Sequence, residues 1–313
     1  MEWDEGERAA RTPAPLRPGD RVAVVAPCGP VDEVRLARGL AVLRDELGLD
    51  VVTGEHLRDR DGYLAGADEA RAGDLQDAWC DPEVKAVFCA RGGYGATRLL
   101  DLLDWDAMRA AAPKPLVGSS DVTALHAAFG RELGTATLFG PMPACATISD
   151  GEPEPRSLDH LRAALFDGGA PVTGDDALVP GSARGRLDGG NLALLAALCG
   201  TRYAPAFEGA VVLLEDVHEP PYRIDRMLTQ LLAAGAFAGA RGIVLGSWTD
   251  CGDEAALRPL FLDRLGGLGV PILAGVPIGH GSTQLSVWLG ADVAIDTESF
   301  SMECPIRDRE SAA

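Results

Sequence analysis

The chain has 313 residues, 47% of them hydrophobic and 24% charged, a balance that suits about two globular domains, each with a core of its own. A net charge of −19 at pH 7 excludes nucleic acid and anionic membrane as partners, because the long-range field repels both. No run approaches the ~18 apolar residues of a membrane span, and residues 1–20 are charged and Pro-rich without the apolar centre of a signal peptide, so the chain reads as cytoplasmic.

Arg21 to Ala26 is a short apolar run that ends at Pro27, and Val31 to Leu47 carries apolar residues at helical spacing up to Gly48. Val84 to Ala90 is strand-like and leads into Arg91-Gly92-Gly93-Tyr94-Gly95, after which Ala96 to Leu103 has helical texture. Pro115-Leu116-Val117 predicts a strand that stops at Gly118-Ser119-Ser120-Asp121. A helix is expected over Val122 to Phe129 and a strand over Thr135 to Phe139. This alternation predicts βαβ units around a parallel sheet. Ligands collect at the carboxyl ends of such strands, where Gly92-Gly93 and Ser120 both fall.

From Asp150 to about Arg184 the texture turns to Gly, Pro and Asp, with one helix-like piece at Leu158 to Phe166, which predicts a connection between domains. A second domain opens at Gly185 to Leu192 and continues as a helix to Leu198. A strand at Ala210 to Leu214 ends at Glu215-Asp216. An amphipathic helix from Tyr222 to about Ala233, a strand at Gly242 to Leu245 and strand-like segments near 271–274 and 285–296 follow. The expected division is an N-terminal domain over 1–150, a connection over 151–184 and a C-terminal domain over 185–313.

A strand that stops at a small serine-bearing turn and then becomes a helix holds a hydroxyl above the sheet edge. It also aims the helix's unpaired N–H groups at whatever that hydroxyl attacks. Ser and Asp are equally good helix caps, so the local sequence leaves both readings open. Glu215, after five apolar residues, is placed either like an active-site carboxylate or simply where the strand meets water. Among five histidines, His280 lies in Ile278-Gly279-His280-Gly281-Ser282, where flanking glycines permit close approach to a ligand; a turn histidine without a role has the same pattern. His126 reads as structural and His56 and His160 as solvated, while His218 lacks the spacing that puts two ligands on one helical face.

Seven cysteines (28, 80, 89, 145, 199, 251 and 304) are scattered without Cys-x-x-Cys spacing and read as reduced thiols, so no metal is expected. Arg91 to Gly95 matches neither glycine-rich nucleotide motif; its N–H groups suit an oxyanion as readily.

Several stretches, taken together and in order, carry a resemblance. They are Val25-Ala26-Pro27, Gly62 to Arg71, Arg91 to Leu100, Gly118 to His126, Gly140-Pro141-Met142, Gly189 to Leu192, Leu214-Glu215-Asp216, Tyr222 to Arg226 and Gly279-His280. The chain resembles the serine LD-carboxypeptidases (muramoyl-tetrapeptide carboxypeptidases), a family that also holds the hydrolases conferring self-immunity to microcin C. The resemblance spans about residues 16 to 304. It implies an α/β fold: an N-terminal parallel sheet flanked by helices, class I glutamine amidotransferase-like, with a smaller α/β barrel-like second domain.

The resemblance further implies Ser120 as nucleophile with Glu215 and His280 as partners, and Asp121 with the Gly92-Gly93 turn supplying backbone N–H groups to an oxyanion hole. The implied protein is a metal- and cofactor-free cytoplasmic homodimer that releases terminal D-alanine from an L-centre in murein tetrapeptides during cell-wall recycling. A same-family amidase acting on a peptide-nucleotide is the alternative. Substrates with several carboxylates call for local arginines, and Arg91, Arg223 and Arg226 are the candidates. Three positions depart from the family: Ser119 stands where an aromatic residue is usual, Cys28 where Ser is common and Phe139 where His is usual. They bear on substrate preference and leave two adjacent hydroxyls at the turn.

Overall fold

Five parallel strands form the scaffold for the serine turn. The computed structural model describes residues 10–303, and β1 (Arg21–Val25), β2 (Asp50–Thr53), β3 (Ala86–Cys89), β4 (Leu116–Gly118) and β5 (Thr137–Phe139) lie in the order β2-β1-β3-β4-β5. Alternate side chains serve opposite faces, as a pleated strand requires. Val22, Val24 and Phe88 pack with Leu36 and Leu40 of α1 (Glu33–Ala41). Ala23, Val25 and Val87 pack with Trp79 of α2 (Asp68–Cys80), Met108 of α3 (Trp105–Ala110) and Phe129 of α4 (Thr123–Leu133).

The chain then passes through α5 (Ala146–Ser149) and α6 (Pro155–Arg162), whose Leu158 and Leu161 still belong to the first core. A second sheet takes over with β6 (Val172–Thr173), β7 (Asp176–Val179), β8 (Ser182–Asn191), β9 (Ala210–Val217), β10 (Gly242–Thr249) and β11 (Ile272–Ala274). Between these strands lie α7 (Leu192–Leu198), α8 (Pro221–Ala233) and α9 (Glu254–Leu265). The chain next returns β12 (Val287–Leu289) to the first sheet, antiparallel to β5. It ends with β13 (Asp292–Asp296) and β14 (Ser301–Glu303) in the second, whose order is β6-β14-β13-β8-β9-β10-β11-β7. Strands β8, β9, β10 and β11 are mutually parallel and the outer pairings antiparallel. The result is a mixed α/β fold in two parts, with no helix among the described residues long and apolar enough to cross a membrane.

Several expectations need correcting. The run Ala96 to Leu103 forms only a short 3-10 turn at Ala96–Arg98, and a separate helix starts at Trp105 because the Asp104 side chain caps it. The helix expected to reach Leu47 widens after Ala41 into a π-turn over Val42–Glu46, closed by Leu47 N–H on the Val42 carbonyl, then ends at Gly48, whose φ of 67° is left-handed. The stretch 151–184 holds the expected helix as α6 and, beyond that expectation, the strands β6 and β7. His160 is not solvated: it is 9% exposed on the inner face of α6, and its Nδ1 accepts from the Ser286 backbone N–H at 3.2 Å. The described cysteines are free thiols, with 28, 89 and 251 buried; Cys304 lies outside the described residues.

Candidate active site

Strand β4 ends at Gly118, and the backbone turns sharply there. Ser120 adopts φ 63° as the first residue of a 3-10 turn (Ser120–Val122) that leads into α4. A left-handed conformation at a non-glycine residue costs about 1–2 kcal/mol, so its surroundings must hold it. His126 on α4 does part of this. Its Nε2 donates to the Gly118 carbonyl at 2.9 Å, and its Nδ1 takes the Thr137 hydroxyl at 2.8 Å. Burial lowers the His126 pKa to about 4, which keeps the ring neutral and this donor–acceptor pattern fixed. His126 is thus structural, as expected, but it braces the serine turn itself.

The glycine turn is pressed against the serine. A Cβ on Gly92 would sit 2.8 Å from Ser120 Cβ and 3.0 Å from its Oγ, so only glycine fits without displacing the hydroxyl. The Gly92 and Gly93 N–H groups have no hydrogen-bond partner among the described residues. The Asp121 carboxylate, 1% exposed, accepts from Ala96 N–H at 2.8 Å and ties the far side of the glycine turn to the serine turn. Burial raises its pKa, while the Ala96 N–H, the neighbouring Cys28 thiol and Arg71 pull the other way. Arg71, itself 1% exposed, joins the carbonyls of Gly66, Pro27 and Gly95 and pairs with Asp68.

Glu215 and His280 meet. Glu215 Oε2 lies 2.7 Å from His280 Nδ1, with the carboxylate fully buried and the imidazole 24% exposed. A Cβ on Gly279 (φ 113°) would lie 2.4 Å from Glu215 Oε2, which explains why glycine precedes the histidine. Burial lowers the His280 pKa, but the hydrogen bond and charge of Glu215 outweigh it, and the net shift is upward. Asp216 beside it is raised to about 6, chiefly by burial.

A line of hydrogen bonds joins this pair to the serine turn. Thr123 Oγ1, at the start of α4, accepts from Asn191 N–H at 3.0 Å. Asn191 Nδ2 donates to Glu215 Oε1 at 3.3 Å and to Asp216 Oδ1 at 2.9 Å. Sequence reasoning assigned no role to Asn191 or Thr123. The signal available was the Gly189-Gly190-Asn191 strand end, which also caps α7 through Leu194 N–H.

The two serines differ. Ser119 is 3% exposed and its Oγ accepts from Gln284 Nε2 at 2.9 Å. It lines a cleft of about 340 Å³ together with His280, Gln284 and Met142. The Ser120 hydroxyl is half-buried against Gly92 and has no partner among the described residues. No hydrogen bond joins His280 to either serine among the described residues. Of the candidate arginines, Arg91 lies along the glycine turn, its Nη1 on the Pro30 carbonyl at 3.0 Å, with no carboxylate paired to it among the described residues. Arg223 pairs with Glu219 at 2.7 Å and Arg226 stacks on Tyr222 at 5.4 Å, so both serve α8. No group of three or more metal-ligating side chains occurs among the described residues.

A buried carboxylate bonded to a histidine, tied to a strained serine flanked by free N–H groups, is a hydrolase-like arrangement. The sequence signature of the LD-carboxypeptidase N-terminal domain matches residues 22–140, and that of the C-terminal domain matches residues 184–295. The chain belongs to the LD-carboxypeptidase family.

A Streptomyces coelicolor relative is 53% identical over 305 residues, covering 94% of this chain and 96% of that one. The murein tetrapeptide carboxypeptidase of Pseudomonas aeruginosa is 37% identical over 282 residues, covering 86% and 90%. The crystal structure of muramoyltetrapeptide carboxypeptidase from Oxalobacter formigenes superposes with a TM-score of 0.83 at 28% identity, covering 92% of this LD-carboxypeptidase family chain and 99% of its own.

Proposed function

We propose that this chain is a serine carboxypeptidase that hydrolyses the bond between the L-centre of a diamino acid and a terminal D-alanine in murein tetrapeptides. The observation that carries this reading is the 2.7 Å contact of buried Glu215 with His280, linked through Asn191 and Thr123 to the serine turn. Ser120 Oγ attacks the scissile carbonyl while His280 Nε2 takes its proton and later returns it to the leaving amine. Glu215 fixes the tautomer and stabilises the imidazolium. Unpaired N–H groups of Gly92 and Gly93, with Asp121 N–H, receive the oxyanion. Ser120 is preferred to Ser119 because the Ser119 hydroxyl is engaged by Gln284. Arg91, uncommitted to any carboxylate among the described residues, is the candidate clamp for the substrate's terminal carboxylate. Closure of the Ser120–His280 distance accompanies substrate binding, since catalytic hydrogen bonds tighten in the Michaelis complex.

The same proposal includes a cytoplasmic homodimer, domains divided near 150 and 185, and a class I glutamine amidotransferase-like first part. A barrel-like second part is supported by its end strands β6 and β7, consecutive segments joined through Gly174-Asp175. The decisive measurement is D-alanine release from a muropeptide tetrapeptide. Ser120→Ala should lower kcat by about 10⁴-fold, whereas wild-type-like release by that variant, or loss only with Ser119→Ala, removes the assignment.

A further inference from the structure

The cleft beside His280 carries a chemistry that the triad does not use. Its lining includes Asp150, Glu152 and Glu154 and neither lysine nor arginine. Two of these carboxylates are committed. Asp150 pairs with Arg35 at 2.6 Å, and Glu154 caps α6 by accepting from the N–H groups of Arg156 and Ser157 at 3.2 and 2.8 Å. Glu152 is exposed and has no partner among the described residues.

A second, independent feature points into the same space. Gln284 is 5% exposed and lines the cleft. Its backbone N–H donates to Ser157 Oγ at 2.8 Å and its Nε2 to Ser119 Oγ at 2.9 Å. The backbone bond holds the loop to α6, and the side-chain amide is anchored at its Nε2 end on Ser119. Its Oε1 has no partner among the described residues and is not sealed from solvent, so it remains as an acceptor for whatever occupies the cleft. An anchored neutral acceptor and an uncommitted carboxylate, with neither lysine nor arginine among the lining residues, complement a compact group carrying several donors and a positive charge. A primary ammonium is that group.

We propose that the cleft beside His280 is the subsite for the side-chain ammonium of the substrate's diamino acid, held by Gln284 Oε1 and balanced by Glu152. Ser119 acts through Gln284 as a positioning residue. This inference rests on the peptidase reading for the identity of the substrate, and it makes the site polar along its length, with Arg91 at the terminal carboxylate and Glu152 at the ammonium.

The test uses two tetrapeptides that differ only in the diamino acid's side chain, amine in one and hydroxyl in the other. Wild-type protein should prefer the amine by about fivefold to tenfold in kcat/KM, with the difference in KM. Glu152→Gln should shrink that preference to about twofold and leave the hydroxyl peptide's parameters unchanged, and added salt should shrink it in wild type alone. Equal kcat/KM for the two peptides overturns the subsite and leaves the peptidase standing. If neither peptide is cleaved, the peptidase reading falls. Calorimetric titration of Ser120→Ala with the same pair then decides the subsite: tighter binding of the amine supports it and equal binding overturns it.

Discussion

His280 is held between two opposing effects, and their balance is measurable. Burial disfavours its cation, while the Glu215 hydrogen bond and charge favour it and win. In the proposed mechanism His280 must be neutral to accept the Ser120 proton, so the raised pKa should place the acid limb of kcat/KM above the histidine's ordinary 6.5. Glu215→Gln removes the favourable partner and leaves the burial. The limb should then move to lower pH even as kcat falls by roughly 10³–10⁴-fold. Stability carries the same sign. A histidine whose folded pKa is raised stabilises the protein fully below its unfolded value and loses that contribution as pH rises through the folded one. The stability gap between wild type and Glu215→Gln should therefore be wider at pH 6 than at pH 9 in urea unfolding. A limb that stays in place, with a gap independent of pH, would show that Glu215 does not set the base.

At the level of elements, the glycine turn after β3 and the serine turn after β4 make one device. The Gly92 Cα faces Ser120 Oγ so closely that a methyl there would lie 3.0 Å from it, and two unpaired N–H groups border the same space. Gly92→Ala should lower kcat by about 10²–10³-fold, the cost of displacing one oxyanion donor. KM and the melting temperature should move little, because the turn lies outside both cores. A variant with unchanged kcat would take the oxyanion role away from this turn.

The sequence made the strands on both sides of these turns legible, since β1, β3 and β4 are short apolar runs that end abruptly at Pro27, Arg91 and Gly118, whereas β9 runs past the expected end at Leu214 through Glu215 and Asp216 to Val217. It was silent where the pattern is diluted. Helix α2 buries an arginine among its few apolar positions, and α9 contains Pro259, so neither announces itself by periodicity. The residues of the site split along the same line. Ser120 follows the end of β4, Glu215 lies near the end of β9 and His280 in a loop between strands, where chemistry is expected. Asn191, Thr123 and Gln284 act through contacts 24 to 165 residues away along the chain, a separation no local reading spans.

For the molecule as a whole, the proposed nucleophile Ser120 follows a strand of the first sheet and Glu215, which holds the proposed base His280, lies in a strand of the second, so the proposed chemistry depends on the relative position of the two sheets. Strand β12 crosses back to pair with β5, and in the loop upstream of it Gln284 reaches Ser119 while His280 stays on β9 and β10 through Glu215 and Thr249. The end of β8 packs against the start of α4, where Thr123 Oγ1 accepts the Asn191 N–H at 3.0 Å with both residues buried. Thr123→Val keeps the shape and removes that acceptor. A buried N–H left without a partner costs about 1–3 kcal/mol, which should lower the melting temperature by a few degrees for a chain of this length. Asn191 also holds Glu215, so its shift reaches the base: kcat should fall by at least tenfold while KM changes less than twofold. Thr123→Ser restores the acceptor and should restore kcat. If Val and Ser variants have the same kcat and differ only in stability, Thr123 packs the two parts together without aligning the site.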